Sequence, residues 1–527
     1  MQWAGTRGWL RVESIPMRKW LKKMKPLPKL YKLRGFGLGG QIGCHVHNMI
    51  NMAISIFHRV LTVQRDGQFV ETTPPSEALY RQRFRQYVKQ LKRYTYETPP
   101  VTRDVFLSRQ SGNSRRFLRY QRALANLGQL ERNNDVDLDR LSRLSNFVKV
   151  EKLLSTKLAK APRNISPRSP EYNILLGCHI AHLEKILFRI LQRVCGFPVV
   201  FKGMNCLRQG QLLRQHWDEF EQPVAIDLDA SRFDQHQHVS SLKVEHEQWL
   251  RMVPSSSREE LSQLLHCQLL NKGSSLFRLE DGSCMKVSYQ VEGTRASGDM
   301  NTSSGNCFTM VGMVYSYMQT KQIKWRLANN GDDCVLIVDK RNLHHLSDLQ
   351  EWFGQMGYTM ESNGYVEDFE KIVFCQTQPV YTPDGYKMVR QPQSALLKDI
   401  NSRCDLSREK VFDLWCSCVR KGGLALAGDI PIYQAFYQAF PDKHSTAHLQ
   451  EVAAVLETGF TMLSKGLQPQ IRSIEPRTRY SFWKAFGITP KQQLVLEQHF
   501  SQVQVGYQQP SFGNLFEGVA IDRLVGA

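Results

Sequence analysis

The sequence contains no Cys-x-x-Cys pair, and its 12 cysteines are scattered along 527 residues. Cys416-Ser-Cys418 has the wrong spacing for a zinc knuckle, and Cys44-His-Val-His47 lacks a second pair of ligands. A disulfide framework and a structural zinc site are therefore not expected. The thiols read as reduced, small packing groups of an intracellular protein. Nowhere does the chain approach the ~20 consecutive apolar residues of a membrane-spanning helix. Its first residues lack the apolar core and cleavage site of a secretion signal, and internal repeats and low-complexity tracts are missing. Acid is also scarce: 49 Asp+Glu stand against 69 Lys+Arg, a formal net charge of +20 with a pI near 9.4. That excess points to a polyanionic partner, nucleic acid or an acidic membrane surface, although a solvated basic surface gives the same sum.

What is present is an ordinary folded composition, 42% hydrophobic and 22% charged, over a length that implies more than one domain or subdomain. Its most informative stretch is Leu327-Ala-Asn-Asn-Gly-Asp-Asp-Cys-Val-Leu-Ile-Val338. Asn330-Gly331 favours a tight two-residue turn, and Val335–Val338 is the β-branched run of a buried strand. Asp332 and Asp333 would then sit together at the bend of a hairpin, where their repulsion is relieved by a cation. A hairpin with two solvated acids would look the same, so the rest of the chain must decide.

A second acidic element, Pro223-Val-Ala-Ile-Asp-Leu-Asp-Ala-Ser-Arg-Phe-Asp234, supplies the answer. Strand alternation places Asp227 and Asp229 on one face, with the strand ending near Ala230 and Asp234 in the following turn. Asp229, opposite the Asp332 hairpin, would complete a cage for divalent ions. Asp227 is left unassigned, since a lone strand-end acid more often shapes a turn.

Basic segments precede both elements. Residues 17–34 carry eight Lys/Arg and no acid, with Trp20, Leu21, Leu27, Leu30 and Tyr31 interleaved. They read as an arm for RNA or anionic lipid, or as a solvated tail. Gly35–Gly40 resembles a phosphate loop only superficially, with no clear strand before it. Leu79–Leu127 reads as basic helix whose aromatics at helical spacing are core more often than stacking platforms, interrupted by the Ser111-Gly-Asn-Ser114 loop. Alternation in Phe147–Lys152 predicts a strand. Prolines keep Ala161–Arg168 extended, a form that lines cations along one track for a triphosphate or template. A helix is predicted over Ile174–Val194.

Between about Leu242 and Val291 come helical and hairpin-like pieces, with a turn at Glu280-Asp-Gly-Ser283. Glu292–Asn306 is a Gly-rich loop leading into an apolar helix, Cys307–Met318. Thr302 and Asn306 are i, i+4 and share a helix face able to hydrogen-bond a ribose, which is an effective way to reject its deoxy analogue. Beyond the hairpin, Leu346–Met356 predicts a helix, and Gly357–Glu361 and Lys371–Cys375 predict strands. From about Arg403 the pattern is helical, through Val411–Val419, Ile430–Phe440 and His448–Leu463. The tail after Ser501 has no clear pattern.

Taken together, the motifs resemble those of RNA-directed RNA polymerases of positive-strand RNA viruses, most closely the tombusvirus family of plants. The resemblance rests on Asp229-Ala-Ser-Arg-Phe-Asp-Gln235, Glu292-Gly-Thr-Arg-Ala-Ser-Gly-Asp-Met-Asn-Thr302, Ala328-Asn-Asn-Gly-Asp-Asp-Cys334, Phe201-Lys-Gly-Met-Asn205 and Phe374-Cys-Gln376. It spans about Tyr94 to Val380 and is looser outside that range. It implies an α+β right-hand polymerase of fingers, palm and thumb, with an antiparallel-sheet palm and a largely helical thumb. The implied division is 1–85 as a basic N-terminal extension, 86–222 as fingers, 223–380 as palm with an inserted fingers segment at about 242–290, and 381–527 as thumb and tail.

The resemblance further implies that Asp229 and Asp332, assisted by Asp333, hold two Mg²⁺ (or Mn²⁺) ions. Asp234, Ser297, Thr302 and Asn306 would recognise the ribose. Lys149, Lys160, Arg163 and Arg168 would meet triphosphate or template, Gly112 would guide template, and Phe374, Cys375 and Gln376 would grip the nascent 3′ end. One departure is that Thr359-Met-Glu-Ser362 offers no Lys to protonate pyrophosphate, and Lys371 comes late. Implied partners are RNA template and product, NTPs, and an upstream or auxiliary viral replication protein. Relatives of this kind are commonly made by readthrough or frameshifting, and their upstream part brings them to membrane-associated replication complexes in the host cytoplasm. Initiation is expected to need no protein primer. A reverse transcriptase is the nearest alternative, disfavoured by Asp234, Thr302 and Asn306. A non-catalytic RNA-binding replication factor is the alternative of a different class.

Overall fold

The computed structural model describes residues 2–22, 30–361, 364–443 and 458–511. Residues 23–29 of the basic N-terminal stretch, residues 448–457 of the helix expected at 448–463, Ser362 and the tail beyond residue 511 lie outside the described residues.

A small antiparallel sheet is the centre of the molecule. Its strands run in the order Trp325–Asn330, Asp333–Asp339 and Pro223–Ala230, and the short strands Met360–Glu361 and Tyr365–Val366 both pair with the outer side of Pro223–Ala230. The uninterrupted apolar run Cys334–Val338 is explained by cover on both faces, which removes any need for alternation. Leu336 and Val338 face a core containing the Thr302–Lys321 helix, whereas Val335 and Ile337 face a second core with Phe201, Trp217 and Phe374. The expected aromatic positions Tyr80, Phe84 and Tyr87 on the Glu77–Tyr94 helix are fully buried in the first core, as packing groups.

A second sheet has five strands, in the order Gln2–Ala4, Gly8–Ile15, Cys284–Glu292, Leu270–Arg278 and Leu144–Ser145. The expected 280–283 turn joins its central hairpin, with Asp281 accepting from the Ser283 amide at 2.8 Å. The N-terminal stretch, expected to be a basic extension, is woven into this sheet: Val12 pairs with Val287 and Leu10 with Tyr289. Leu10, Met52, Ile56 and Phe57 then build a third core with Tyr289 and Val291. Sequence could not show this, because the pairing partners of residues 8–15 lie far along the chain, at 284–291.

Other expectations shift. The helix expected over 174–194 is two helices, Pro170–Ile180 and Glu184–Cys195, and His182 at the break bonds the Pro99 carbonyl at 3.1 Å. The strand predicted at 371–375 is instead a 3₁₀ turn, Phe369–Lys371, followed by a tight turn at 374–377. The hairpin Thr377–Thr382/Gly385–Arg390 beyond it was not foreseen. A strand, Leu30–Arg34, does precede the Gly35–Gly40 stretch. Gly35, at φ +99°, lies so near the Gln504 carbonyl that a Cβ would stand 2.4 Å from its oxygen. Those glycines serve close packing rather than a phosphate. Among the described residues, no helix is long and apolar enough to cross a membrane.

Since Leu336 is wholly buried in the central strand, Leu336→Ala should cost about 2–5 kcal/mol of unfolding free energy. Denaturant titration against the unaltered chain measures it, and a loss below about 1 kcal/mol would contradict this placement.

Candidate active site

The acidic hairpin turns one residue later than Asn-Gly turn chemistry predicts. Asn330 and Asp333 are the last paired residues, so the two turn residues are Gly331 and Asp332. Gly331 takes φ +81°, the conformation the first turn position demands. Asn329 pins the bend from inside: its Nδ2 donates to the Gly331 carbonyl at 2.7 Å, and the Gly331 amide donates to its Oδ1 at 3.3 Å. Asp332 is thereby carried, exposed, at the tip.

Register brings the acids together. Asp229 is the direct cross-strand partner of Asp333, and Asp227 pairs with Val335 on the same face. Like charges directly opposite destabilise a sheet. Burial pushes the Asp333 carboxyl up to about 6, with the charges of Asp227 and Asp332 adding to it. Asp227 is likewise raised to about 6 by burial and then by Asp229. Asp229 is raised by burial, Glu361 and Asp332, and Lys160 opposes this. Among the described residues, no three acidic, His or Cys side chains converge closely enough to form a metal cage alone. The donor set nonetheless fits Mg²⁺ or Mn²⁺. It offers hard carboxylate oxygens that repel one another, and Mg²⁺ is commonly held by one or two carboxylates with substrate phosphates completing its shell.

The ribose-reading candidates lie beside this cluster and are tightly bound to one another. Asn306 Nδ2 donates to Asp234 Oδ1 at 2.7 Å, and Asn306 Oδ1 accepts from Arg295 Nε at 3.0 Å. Arg295 in turn pairs with buried Glu245, whose Oε1 accepts from Asn301 at 2.8 Å and from Trp249 at 2.9 Å. Asn306 is therefore committed to holding Asp234. Burial raises Asp234 to about 6, and the bond from Asn306 pulls against it. Thr302 Oγ1 donates to the Ala296 carbonyl at 2.9 Å, a bond that closes the loop. Ser297 keeps its hydroxyl on the cavity while its carbonyl accepts from the Ser166 amide at 2.7 Å.

A cavity of about 340 Å³ unites these parts: it is lined by the acids Asp229, Asp234 and Asp332, by Ser297, and by the cations Lys149, Arg163, Arg59 and Arg232. Lys149 and Arg163 share Glu151, at 3.1 and 3.8 Å, and the Lys149 amide donates to the Arg163 carbonyl at 2.8 Å. Arg59 and Arg232 were missed by the sequence reading. Arg59 lies in the N-terminal segment, on a π-helical turn, and donates two bonds to the Ala161 carbonyl at 2.9 and 2.7 Å. Burial, then Arg163 and Arg232, lower its pKa to about 10. No local motif marks Arg59; Arg232 stood inside a quoted motif, but its φ of +50°, which swings it to the cavity, is invisible in sequence.

Two expected residues, Arg168 and Gly112, stand elsewhere, as does Lys371, which was given no role. Arg168 is buried and satisfied by Asp299 at 2.5 Å, the Ser142 carbonyl at 2.7 Å and Asn271 at 2.6 Å, so it braces the loop and has no donor left for a phosphate. Gly298, at φ +140°, allows that brace, since a Cβ would meet Ser166 and Pro167 backbone at 3.0 Å. Gly112 sits in an exposed turn outside the cavity lining, ahead of the Ser114–Arg132 helix. Lys371 Nζ is turned to the Ala485 carbonyl at 3.5 Å, away from the acids. Phe374, Cys375 and Gln376, by contrast, abut the hairpin. The Cys375 amide donates to Asp333 Oδ2 at 3.0 Å, and Asn330 Nδ2 donates to Cys375 Sγ at 3.1 Å.

Acids at a hairpin tip and a set of cations thus line one cavity. Residues 19–508 match the model of the viral RNA dependent RNA polymerase family, and the chain belongs to that family. It is similar to the RNA-directed RNA polymerase of Tobacco necrosis virus (strain D), 35% identical over 95% of this chain and 68% of the relative. It is 37% identical to that of Tobacco necrosis virus (strain A) over 90% of this chain and 64% of the relative. For Tomato bushy stunt virus (strain Cherry) the identity is 37% over 87% of this chain and 54% of the relative. The chain thus spans roughly half to two thirds of the length of these relatives.

Because Asp227, Asp234 and Asp333 titrate near 6 when folded instead of 3.8, the folded state binds more protons than the unfolded one between those values. Stability from these groups is full below about pH 4 and is lost as pH rises through about 6. In buffer free of divalent ions, the unfolding midpoint of Asp333→Asn should fall less between pH 4 and 7 than that of the unaltered chain; equal slopes would refute the coupling.

Proposed function

We propose that this chain is the catalytic part of a viral replicase, an enzyme that copies an RNA template by nucleotidyl transfer from NTPs to a growing RNA 3′ end. The observation that carries the reading is that Asp229, Asp332 and Asp234 line one cavity together with Lys149, Arg163 and Arg59. In the corresponding right-hand arrangement, the 223–230/325–339 sheet is the palm. The second sheet and the helices from 77 to 217 form the fingers, and the helices from 409 onward form the thumb.

Asp229 and Asp332, with Asp333, would hold two divalent ions. Such ions stabilise the attacking 3′-oxygen and the departing pyrophosphate in an in-line displacement. Lys149, Lys160, Arg163 and Arg59 neutralise the incoming triphosphate, since positioning and charge neutralisation supply most of the catalysis in phosphoryl transfer. Asp234 and Ser297 receive the ribose hydroxyls, and Asn306 fixes the direction in which Asp234 points. The 374–377 turn supports the nascent strand, and the arginine-rich 114–132 helix with Gly112 receives template. Recruitment to membrane-associated complexes in the host cytoplasm falls to another portion of a longer replicase, consistent with the greater length of the relatives.

The test is incorporation of labelled NTPs on a single-stranded RNA template without primer, in Mg²⁺ or Mn²⁺, beside Asp332→Ala. Template-length product from the unaltered chain alone is expected, with the variant below a few per cent and its RNA affinity within about twofold, because a metal ligand rather than a phosphate contact is lost. Substantial activity in Asp332→Ala overturns the site. RNA binding without incorporation, even with an upstream replicase portion and membranes supplied, returns the non-catalytic reading. Asn306→Ala should lower the preference for NTP over dNTP roughly tenfold by freeing Asp234; an unchanged ratio would make its role structural.

A further inference from the structure

Resting on that reading, we propose that Lys202 is a positioning residue for the growing RNA: its ammonium binds a backbone phosphate near the strand's 3′ end, where the strand lies on the 374–377 turn.

The placement of Lys202 is imposed by its neighbours. The Asn329 amide donates to the Val199 carbonyl at 2.9 Å, and the Phe201 amide donates to the Asn329 carbonyl at 2.8 Å. This fastens residues 199–201 along the edge of the sheet, two residues before the acidic turn begins. Phe201 is fully buried and packs edge-on against Phe374 at 5.6 Å, so the same anchor locks the residue leading into Cys375. Gly203, at φ +81°, then bends the chain away, and Asn205 caps the next helix through the Arg208 amide at 2.8 Å. Lys202 is the side chain left between two fixed points.

Its ammonium rests on the bare side of the acidic turn, 3.6 Å from where a Cβ on Gly331 would stand. Glu184, Cys307 and Cys375 are the titratable groups around it. Burial raises all three, and the charge of Lys202 opposes that at each. Among the described residues, its Nζ has no hydrogen bond and no ion pair within 4.0 Å. A half-buried cation beside the acidic turn, with Glu184 near but not paired to it within 4.0 Å, is left able to take an external anion.

The position of that anion follows from the cavity. Lys149, Arg163 and Arg59 line the space that Asp332 faces, and Lys202 is not among its lining residues. Lys202 stands on the Cys375 side of the hairpin instead. The triphosphate already has its cations, so the anion left for Lys202 is a phosphodiester of the strand being extended.

The experiment measures binding of an RNA duplex with a recessed 3′ end, without nucleotide, across a range of salt, followed by extension of that primer. Lys202→Met should weaken duplex binding about three- to tenfold and reduce the slope of log affinity against log salt by about 0.7–0.9, one phosphate contact. Lys202→Arg should restore most of both, and the KM for NTP should stay within twofold. Affinity and slope equal to the unaltered chain overturn the proposal. So does a raised KM for NTP with unchanged duplex binding, which would move Lys202 to the triphosphate. If Lys202→Met lowers the unfolding midpoint, Lys202→Gln is read in the same way, with the rescue by Arg separating charge from shape. Failure of the unaltered chain to extend the primer counts against polymerase activity, whereas the nucleotide-free comparison bears on Lys202 alone.

Discussion

Everything at the site depends on an unfavourable contact. Asp229 and Asp333 face each other across two strands whose register cannot slip, because both faces of the sheet are buried. A one-residue shift would turn Leu336 and Val338 toward the second core and Val335 and Ile337 toward the first. The apolar packing thus enforces a repulsion that isolated strands would avoid. Burial first, and the neighbouring carboxylates second, raise these groups and create the site's demand for positive charge.

The surroundings meet that demand on two sides. Lining the same cavity are Lys149, Arg163, Arg59 and Arg232, drawn from three distant parts of the chain. Behind the 292–302 loop lies a buried network, Asp234–Asn306–Arg295–Glu245, with every link a charged or amide group. Breaking any one link would leave a buried charge unpaired, so the network fixes one geometry. Arg168–Asp299 performs the same service for the loop's other end.

Sequence made the acidic elements legible because their signals are local. A β-branched run, a turn glycine and alternation need only a few neighbours, and these located the two strands, Asp229, Asp332 and the 302–321 helix. Motif wording added the ribose set and the 374–376 segment. What failed was non-local. Arg168 looked like a free cation in an extended basic stretch, and only the fold shows Asp299 closing on it. Residues 17–34 looked like an arm, and nothing in residues 8–15 announced their pairing with residues 284–291. Lys371–Cys375 read as a strand from its apolar residues. Its actual turn places Cys375 and Gln376 at φ +51° and +60°, a conformation that non-glycine residues adopt only under tertiary compulsion.

That compulsion has a consequence for the order of assembly. The turn carrying Asp332 is held by Asn329, which is fastened to Val199 and Phe201, and Phe201 packs on Phe374 just ahead of the amide that holds Asp333. Three stretches separated by more than a hundred and then by some forty residues must meet before the carboxylates are fixed. Contacts of such separation form late in folding. A chain emerging from the ribosome therefore forms its basic helices at 77–94 and 114–132, which need only local bonds, well before the acidic turn is fixed.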